Sequence, residues 1–132
     1  MLRSDSSRFL RFALIADAAV SGAVGVLMLA GAGLLDGLLG LPVPLLRGAG
    51  LVLVPYVVAL VWLARCEDVP RHAVWVVILA NAAWAAACVL LLLSGWIAPT
   101  WLGVAFILVQ AVTVLVFAEL QYMALRRPLA MA

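Results

Sequence analysis

Two acidic residues, Asp17 and Glu119, interrupt stretches of the chain that are otherwise apolar. Asp17 lies within the segment ALIADAAVSGAVG, residues 13–25. An ionised aspartate that faced hydrocarbon would cost about 2.5–3.5 kcal/mol on insertion scales, so each acid should face protein or water. Acids in such positions either couple protons or cations, or are satisfied by hydrogen bonds and basic partners.

The distance of both acids from the nearest arginines leaves these two roles open. Asp17 follows Arg11 by six residues. Glu119 precedes Arg126 by seven residues. At a rise of about 1.5 Å per residue, each acid lies roughly 10 Å from an arginine along a helix. We favour a structural role, in which each acid pairs with an arginine or joins a polar network; the alternative is a proton or cation relay.

Polar and aromatic side chains recur at helical spacing in the other apolar stretches. Asn81 and Trp84 share one face, and Gln110 and Thr113 share another. The candidates for lining a small cavity are Ser21, Tyr56, Asn81, Trp84, Gln110 and Thr113. We favour the simpler interpretation, in which the polar members Asn81, Gln110 and Thr113 only join helices to one another, at about 0.6 kcal/mol for each hydrogen bond.

Small residues follow Asp17 on the same stretch and predict a helix-packing face. Ala18, Gly22 and Gly25 belong to pairs of small residues spaced by four, which allow helices in lipid to approach closely. Asp17 and Gly25 share a face, because they are two turns apart. We therefore expect Asp17 to point into the bundle.

The elements that must position these residues follow from composition. The chain is 69% hydrophobic and 11% charged, whereas a soluble domain is roughly half apolar and a quarter charged. Four stretches are long enough to cross a bilayer as helices, at about 9–31, 44–65, 72–94 and 100–125. Short connections predict an antiparallel bundle of four transmembrane helices forming one domain, residues 1–132, with the segment 32–43 at the interface.

The arginines predict the orientation of the spans. Only Arg47 lies at one end of the bundle, and the other end holds Arg3, Arg8, Arg11, Arg65, Arg71, Arg126 and Arg127. The positive-inside rule then places both termini in the cytoplasm. The use of arginine without lysine, with abundant alanine and leucine, is typical of GC-rich bacteria, so we expect a bacterial inner membrane.

Several function classes are disfavoured by what the sequence does not contain. There is one histidine, His72, and the two cysteines are 22 residues apart, so neither metal nor haem spacing occurs. No nucleophile–base–acid set or phosphate loop is found, and we expect neither an enzyme nor a cofactor. The basic residues are few and scattered, which excludes nucleic acid as a partner.

The chain as a whole resembles small uncharacterised four-span proteins of bacterial inner membranes. In size, span number and a carboxylate in the first span it also resembles the small multidrug resistance transporters. In that family the carboxylate is essential and aromatic residues contact the substrate, roles that the resemblance would give to Asp17, Tyr56 and Trp84. The chain differs from that family in having Asp in place of Glu and in its strong charge bias.

Three functions are compatible with these features. We expect first a non-enzymatic protein that acts by helix–helix association, as a homo-oligomer or as an accessory subunit of a membrane complex. The second is a small transporter or channel that couples protons or cations through Asp17. The third is a binder of lipid, quinone or another hydrophobic ligand, with Trp84 as one wall of its site.

Overall fold

The structure of the protein, a computed structural model, describes residues 4–131 and the side chains of residues 8–126. This part of the chain is helical and contains no strand, which confirms the all-α prediction for it. Its five helices are α1 (Ser4–Ala30), α2 (Ala32–Leu39), α3 (Val43–Arg65), α4 (Arg71–Ser94) and α5 (Trp101–Met131).

Four of the helices are long and apolar enough to cross a membrane. They cover Arg8–Ala30, Val43–Arg65, Arg71–Ser94 and Trp101–Arg126, and the predicted spans end within one residue of these bounds. Large apolar side chains are exposed on their outer surfaces, as at Phe12 and Leu90. Such a surface suits lipid rather than water, so the fold supports a multi-pass membrane protein.

The short helix α2 is a feature that the sequence did not predict. We expected only an interfacial segment at 32–43, whereas the structure forms a helix of eight residues there, with Ala32, Leu35 and Leu39 buried. Their spacing places them on one face, which packs against α1, α3 and α5. A helix this short that contains two glycines has little stability of its own, so tertiary packing decides its conformation.

The helices pack as two close pairs, α1 with α3 and α4 with α5, and the pairs meet mainly between α1 and α5. Although α3 and α4 follow each other in the chain, their backbones come close at few points within the described residues. The buried apolar side chains form two clusters. One cluster includes Leu60 and Leu125. The other contains Leu39 and further residues of α2, and it also includes Ile107.

Glycines allow α1 and α3 to cross closely. A Cβ atom on Gly50 would lie 2.8 Å from Leu29 Cγ and 3.1 Å from the carbonyl oxygen of Gly25. Both distances are shorter than ordinary van der Waals contact, so a side chain at Gly50 would push the two helices apart. Because α1 and α3 cross closely here, polar residues on this face of α1 lie next to α3.

Candidate functional site

Asp17 is completely buried, although it lies in the middle of the first membrane-spanning helix. It belongs to the small-residue face of α1, which the sequence predicted to pack against another helix. Ala18 is buried, and a Cβ atom on Gly22 would lie 3.8 Å from Val57 of α3. At Gly25, α1 crosses α3 closely, as described above. This face therefore places Asp17 inside the bundle.

Four side chains donate hydrogen bonds to the Asp17 carboxylate. Ser21 Oγ lies 2.9 Å from Oδ1, and the Tyr56 hydroxyl lies 2.7 Å from Oδ2. The side-chain amides of Asn81 and Gln121 lie 3.1 Å and 2.9 Å from the same Oδ2. The donors come from α1, α3, α4 and α5, so each membrane-spanning helix contributes one. An ionised carboxylate only accepts hydrogen bonds, so all four contacts have the donor and acceptor that this state requires.

Two further contacts join the donors to one another. The Asn81 amide also donates to Gln121 Oε1 at 3.1 Å, and the Tyr56 hydroxyl lies 2.9 Å from Asn81 Oδ1. We call these five residues, Asp17, Ser21, Tyr56, Asn81 and Gln121, the Asp17 cluster. Asp17, Asn81 and Gln121 are each at most 2% exposed, so these three side chains are shielded from their surroundings.

The structural role that we favoured allowed either an arginine or a polar network beside Asp17, and the structure shows a network of uncharged partners. Arg11 instead donates to the carbonyl oxygens of Ala64 and Cys66 at the end of α3, at 3.1 Å and 2.7 Å. Arg71 donates to a carbonyl of α5, that of Leu125, at 2.8 Å. Arg11 therefore stabilises the negatively polarised end of α3.

Glu119 is not part of the site. Its side chain is exposed, and the residue of α5 that reaches Asp17 is Gln121. Two residues along an α-helix differ by about 200° in direction, so Glu119 and Gln121 face nearly opposite sides. Gln121 was not among the residues expected at the site. It lies four residues after Phe117, which itself lies four residues after Thr113, so Gln121 continues the helix face that carries Gln110 and Thr113.

A cavity of about 450 Å³ lies beside the Asp17 cluster, between the four membrane-spanning helices. All six residues that the sequence suggested as its lining are in its wall. Phe106 and Phe117 add aromatic surface, and aliphatic side chains form most of the remainder. Asp17 itself is not in the wall. It lies behind Ser21, Tyr56 and Asn81, which separate its carboxylate from the cavity.

A second polar contact lies in the same wall. The indole Nε1 of Trp84 donates to Gln110 Oε1 at 3.0 Å, which joins α4 to α5. Thr113 follows Gln110 by three residues and also lines the cavity. Asn81 and Gln110, which the sequence assigned either to a cavity or to helix contacts, therefore do both: they join helices, and they face the cavity.

This arrangement places hydrogen-bonding groups beside apolar surface. In the part of the chain that the structure describes, no group of three or more His, Cys, Asp and Glu side chains could hold a metal ion. The polar groups are amides and hydroxyls around one carboxylate, which can orient a ligand by hydrogen bonds. Comparisons with protein-family models, curated proteins and solved structures gave no match.

Proposed function

We propose that this multi-pass membrane protein binds a small, largely apolar, lipid-soluble molecule in the cavity beside Asp17. The observation that carries the proposal is the cavity itself, at about 450 Å³. Ligand pockets typically measure roughly 300–1,000 Å³, are lined mainly by apolar and aromatic side chains, and hold a few convergent polar groups. The cavity has this composition, with Ser21, Tyr56 and Asn81 as a polar wall and Trp84 among its aromatic residues.

The sparse contact between α3 and α4 supports access from the bilayer. Val52 of α3 and Ala83 and Ala87 of α4 line the cavity, and all three are also exposed on the outer surface. A molecule dissolved in the lipid would therefore reach the cavity sideways, between these two helices. Such a path requires no passage through water, which suits an apolar ligand.

The surroundings of Asp17 favour binding over a two-acid relay. Glu119 is exposed away from the site, and Asp17 is bonded to four uncharged donors. A relay of the two acids would need them to share a path, and the helix directions separate them. Transport that uses Asp17 alone stays a prediction, as does association into a homo-oligomer or with another membrane subunit.

In this proposal the four spans are antiparallel, with both termini in the cytoplasm of a bacterium and the helices in its inner membrane. The charge bias supports this orientation, because Arg65 and Arg71 flank the turn between α3 and α4 whereas Arg47 lies near the start of α3. The cavity then lies within the hydrocarbon region of the bilayer.

Quenching of Trp84 by a brominated apolar molecule tests the proposal. Trp84 is first made the only tryptophan by changing the four exposed ones to phenylalanine: Trp62, Trp75, Trp96 and Trp101. The protein in lipid nanodiscs is then titrated with 4-bromoanisole. Binding in the cavity gives saturable quenching of Trp84, whereas bromoanisole that is merely dissolved in the lipid gives quenching that rises without saturation.

Two alanines of α4 provide a matched pair of variants. Ala82 and Ala83 are both exposed, and only Ala83 lines the cavity. Ala83→Phe fills the cavity and should abolish saturation, while Ala82→Phe should leave it unchanged. The proposal is wrong if the native cavity gives no saturable quenching, or if both variants retain it equally.

A further inference from the structure

When Asp17 is ionised, the Asp17 cluster has one donor proton fewer than it has contacts of hydrogen-bond length. Six contacts of hydrogen-bond length join its members, from 2.7 Å to 3.1 Å. The hydroxyls of Ser21 and Tyr56 supply one proton each, and the Asn81 amide supplies two. The NH2 group of the Gln121 amide makes one of the six contacts and supplies one proton to it. Five protons therefore serve six contacts when Asp17 is ionised.

The missing proton belongs to the contact between Tyr56 and Asn81. The Tyr56 hydroxyl has one proton and two acceptors, Asp17 Oδ2 at 2.7 Å and Asn81 Oδ1 at 2.9 Å. Hydrogen bonds to a charged acceptor are shorter and stronger, so this proton goes to Asp17. The Tyr56 oxygen and Asn81 Oδ1 then face each other as two acceptors.

Rotating the Asn81 amide does not correct the shortage. The rotation would place the Asn81 oxygen at the positions now used to donate to Asp17 Oδ2 and Gln121 Oε1, both of which are acceptors. Protonating Asp17 on Oδ2 would supply the sixth proton. A proton there would turn the oxygen that accepts from the Asn81 and Gln121 amides into a neutral hydroxyl oxygen, which accepts hydrogen bonds more weakly than a carboxylate does. A donor from outside the cluster fits the geometry better.

The cavity is where such a donor can come from, because both unpaired acceptors are on residues of its wall. We propose that the ligand presents one hydroxyl or N–H group beside an apolar body, and donates it to Asn81 Oδ1 and the Tyr56 oxygen. This inference rests on the proposed function and specifies the class of ligand. Apolar molecules that carry only acceptors, such as ethers and ketones, would place a third acceptor against these two.

A pair of probes that differ in one donor tests the inference. 4-Bromophenol and 4-bromoanisole share the ring and the bromine, and only the phenol has an O–H group. In the nanodisc titration with Trp84 as the only tryptophan, each Kd is corrected for the partition of the probe into protein-free nanodiscs. One hydrogen bond to otherwise unpaired acceptors should make the phenol bind about fivefold to tenfold more tightly than the anisole.

The variant Asn81→Leu removes one of the two acceptors and should reduce this preference towards onefold. Continued saturable binding of 4-bromoanisole shows that the variant retains the cavity; if the variant does not fold, the comparison in the native protein decides alone. Equal corrected affinities in the native protein overturn the inference and leave the proposed function intact. Saturable binding of neither probe overturns both. An undiminished preference in folded Asn81→Leu overturns the assignment of the donor to this wall.

Discussion

The Asp17 carboxylate exchanges its hydration for one hydrogen bond from each membrane-spanning helix, which explains how an acid is accommodated inside lipid. Ser21, Tyr56, Asn81 and Gln121 are donors of modest strength when taken singly. Their convergence on a fully buried carboxylate makes the contacts interdependent. Removing that acceptor takes from Ser21 and Gln121 the acceptor described for each, whereas Tyr56 and Asn81 each retain a second one.

Asp17→Leu should therefore lower the free energy of unfolding by at least about 2 kcal/mol, since a single unsatisfied buried donor costs about 1–3 kcal/mol. Denaturant titration in mild detergent measures this change. The matched control is Asp36→Leu, because Asp36 is exposed on α2 and its loss should change stability by less than about 0.5 kcal/mol. Equal effects of the two substitutions would contradict the role given to Asp17.

The contact between Trp84 and Gln110 should contribute much less. A double-mutant cycle with Trp84→Phe and Gln110→Leu should give a coupling energy of about 0.6 kcal/mol, the average for hydrogen bonds between helices in lipid. The cycle uses the same denaturant titration. A coupling energy above about 2 kcal/mol would place this pair, rather than the Asp17 cluster, at the centre of the bundle's polar stability.

The sequence predicted several residues of this site, but it did not predict Gln121. Spacing placed Asp17 on a packing face and brought Asn81, Trp84 and Gln110 to a cavity, because helical periodicity fixes which residues share a face. Periodicity does not fix how far one helix is rotated against its neighbour. The partner of Asp17 depends on that rotation: the expectation allowed an arginine or a polar network, and the structure shows the network. The same rotation leaves Glu119 exposed, away from Asp17.

At the scale of elements, the crossing of α1 and α3 depends on glycine at a single position. A Cβ atom on Gly50 would lie 2.8 Å from Leu29, whereas one on Gly48 of the same helix would have nothing within 4 Å. Gly50→Ala should destabilise the protein by about 1–3 kcal/mol through overpacking. Gly48→Ala should be neutral or slightly stabilising, because alanine has the higher helix propensity.

Thermal unfolding of both variants in the same detergent checks this prediction, and the comparison excludes an effect of alanine as such. If Gly50→Ala were as stable as Gly48→Ala, α1 and α3 would not cross as closely as described. The four spans themselves were predictable from the sequence to within one residue, because length and hydropathy determine them. The helix α2 was not, because packing rather than propensity determines it.

At the scale of the whole molecule, the positive-inside rule makes the proposed orientation testable by cysteine labelling. In a chain whose native cysteines are changed to alanine, Asp36→Cys should react with a membrane-impermeant maleimide in cells whose inner membrane is intact. Glu67→Cys should react only after that membrane is permeabilised. Both positions are exposed in the structure, so a difference in reaction reports the side of the membrane.

Reaction of both cysteines before permeabilisation would contradict the orientation, and so would reaction of Glu67→Cys alone. The same reagent applied to permeabilised cells is the control, because both positions should then react.

The sparse packing between α3 and α4 has a consequence for the membrane that surrounds the protein. The polar contact described between these helices is that of Tyr56 with Asn81, and both residues line the cavity. Lateral pressure from the acyl chains is therefore opposed there by few helix contacts. Under the proposed function, lipid packing would act directly on the width of the opening, and the composition and compression of the bilayer would become physical variables of ligand binding.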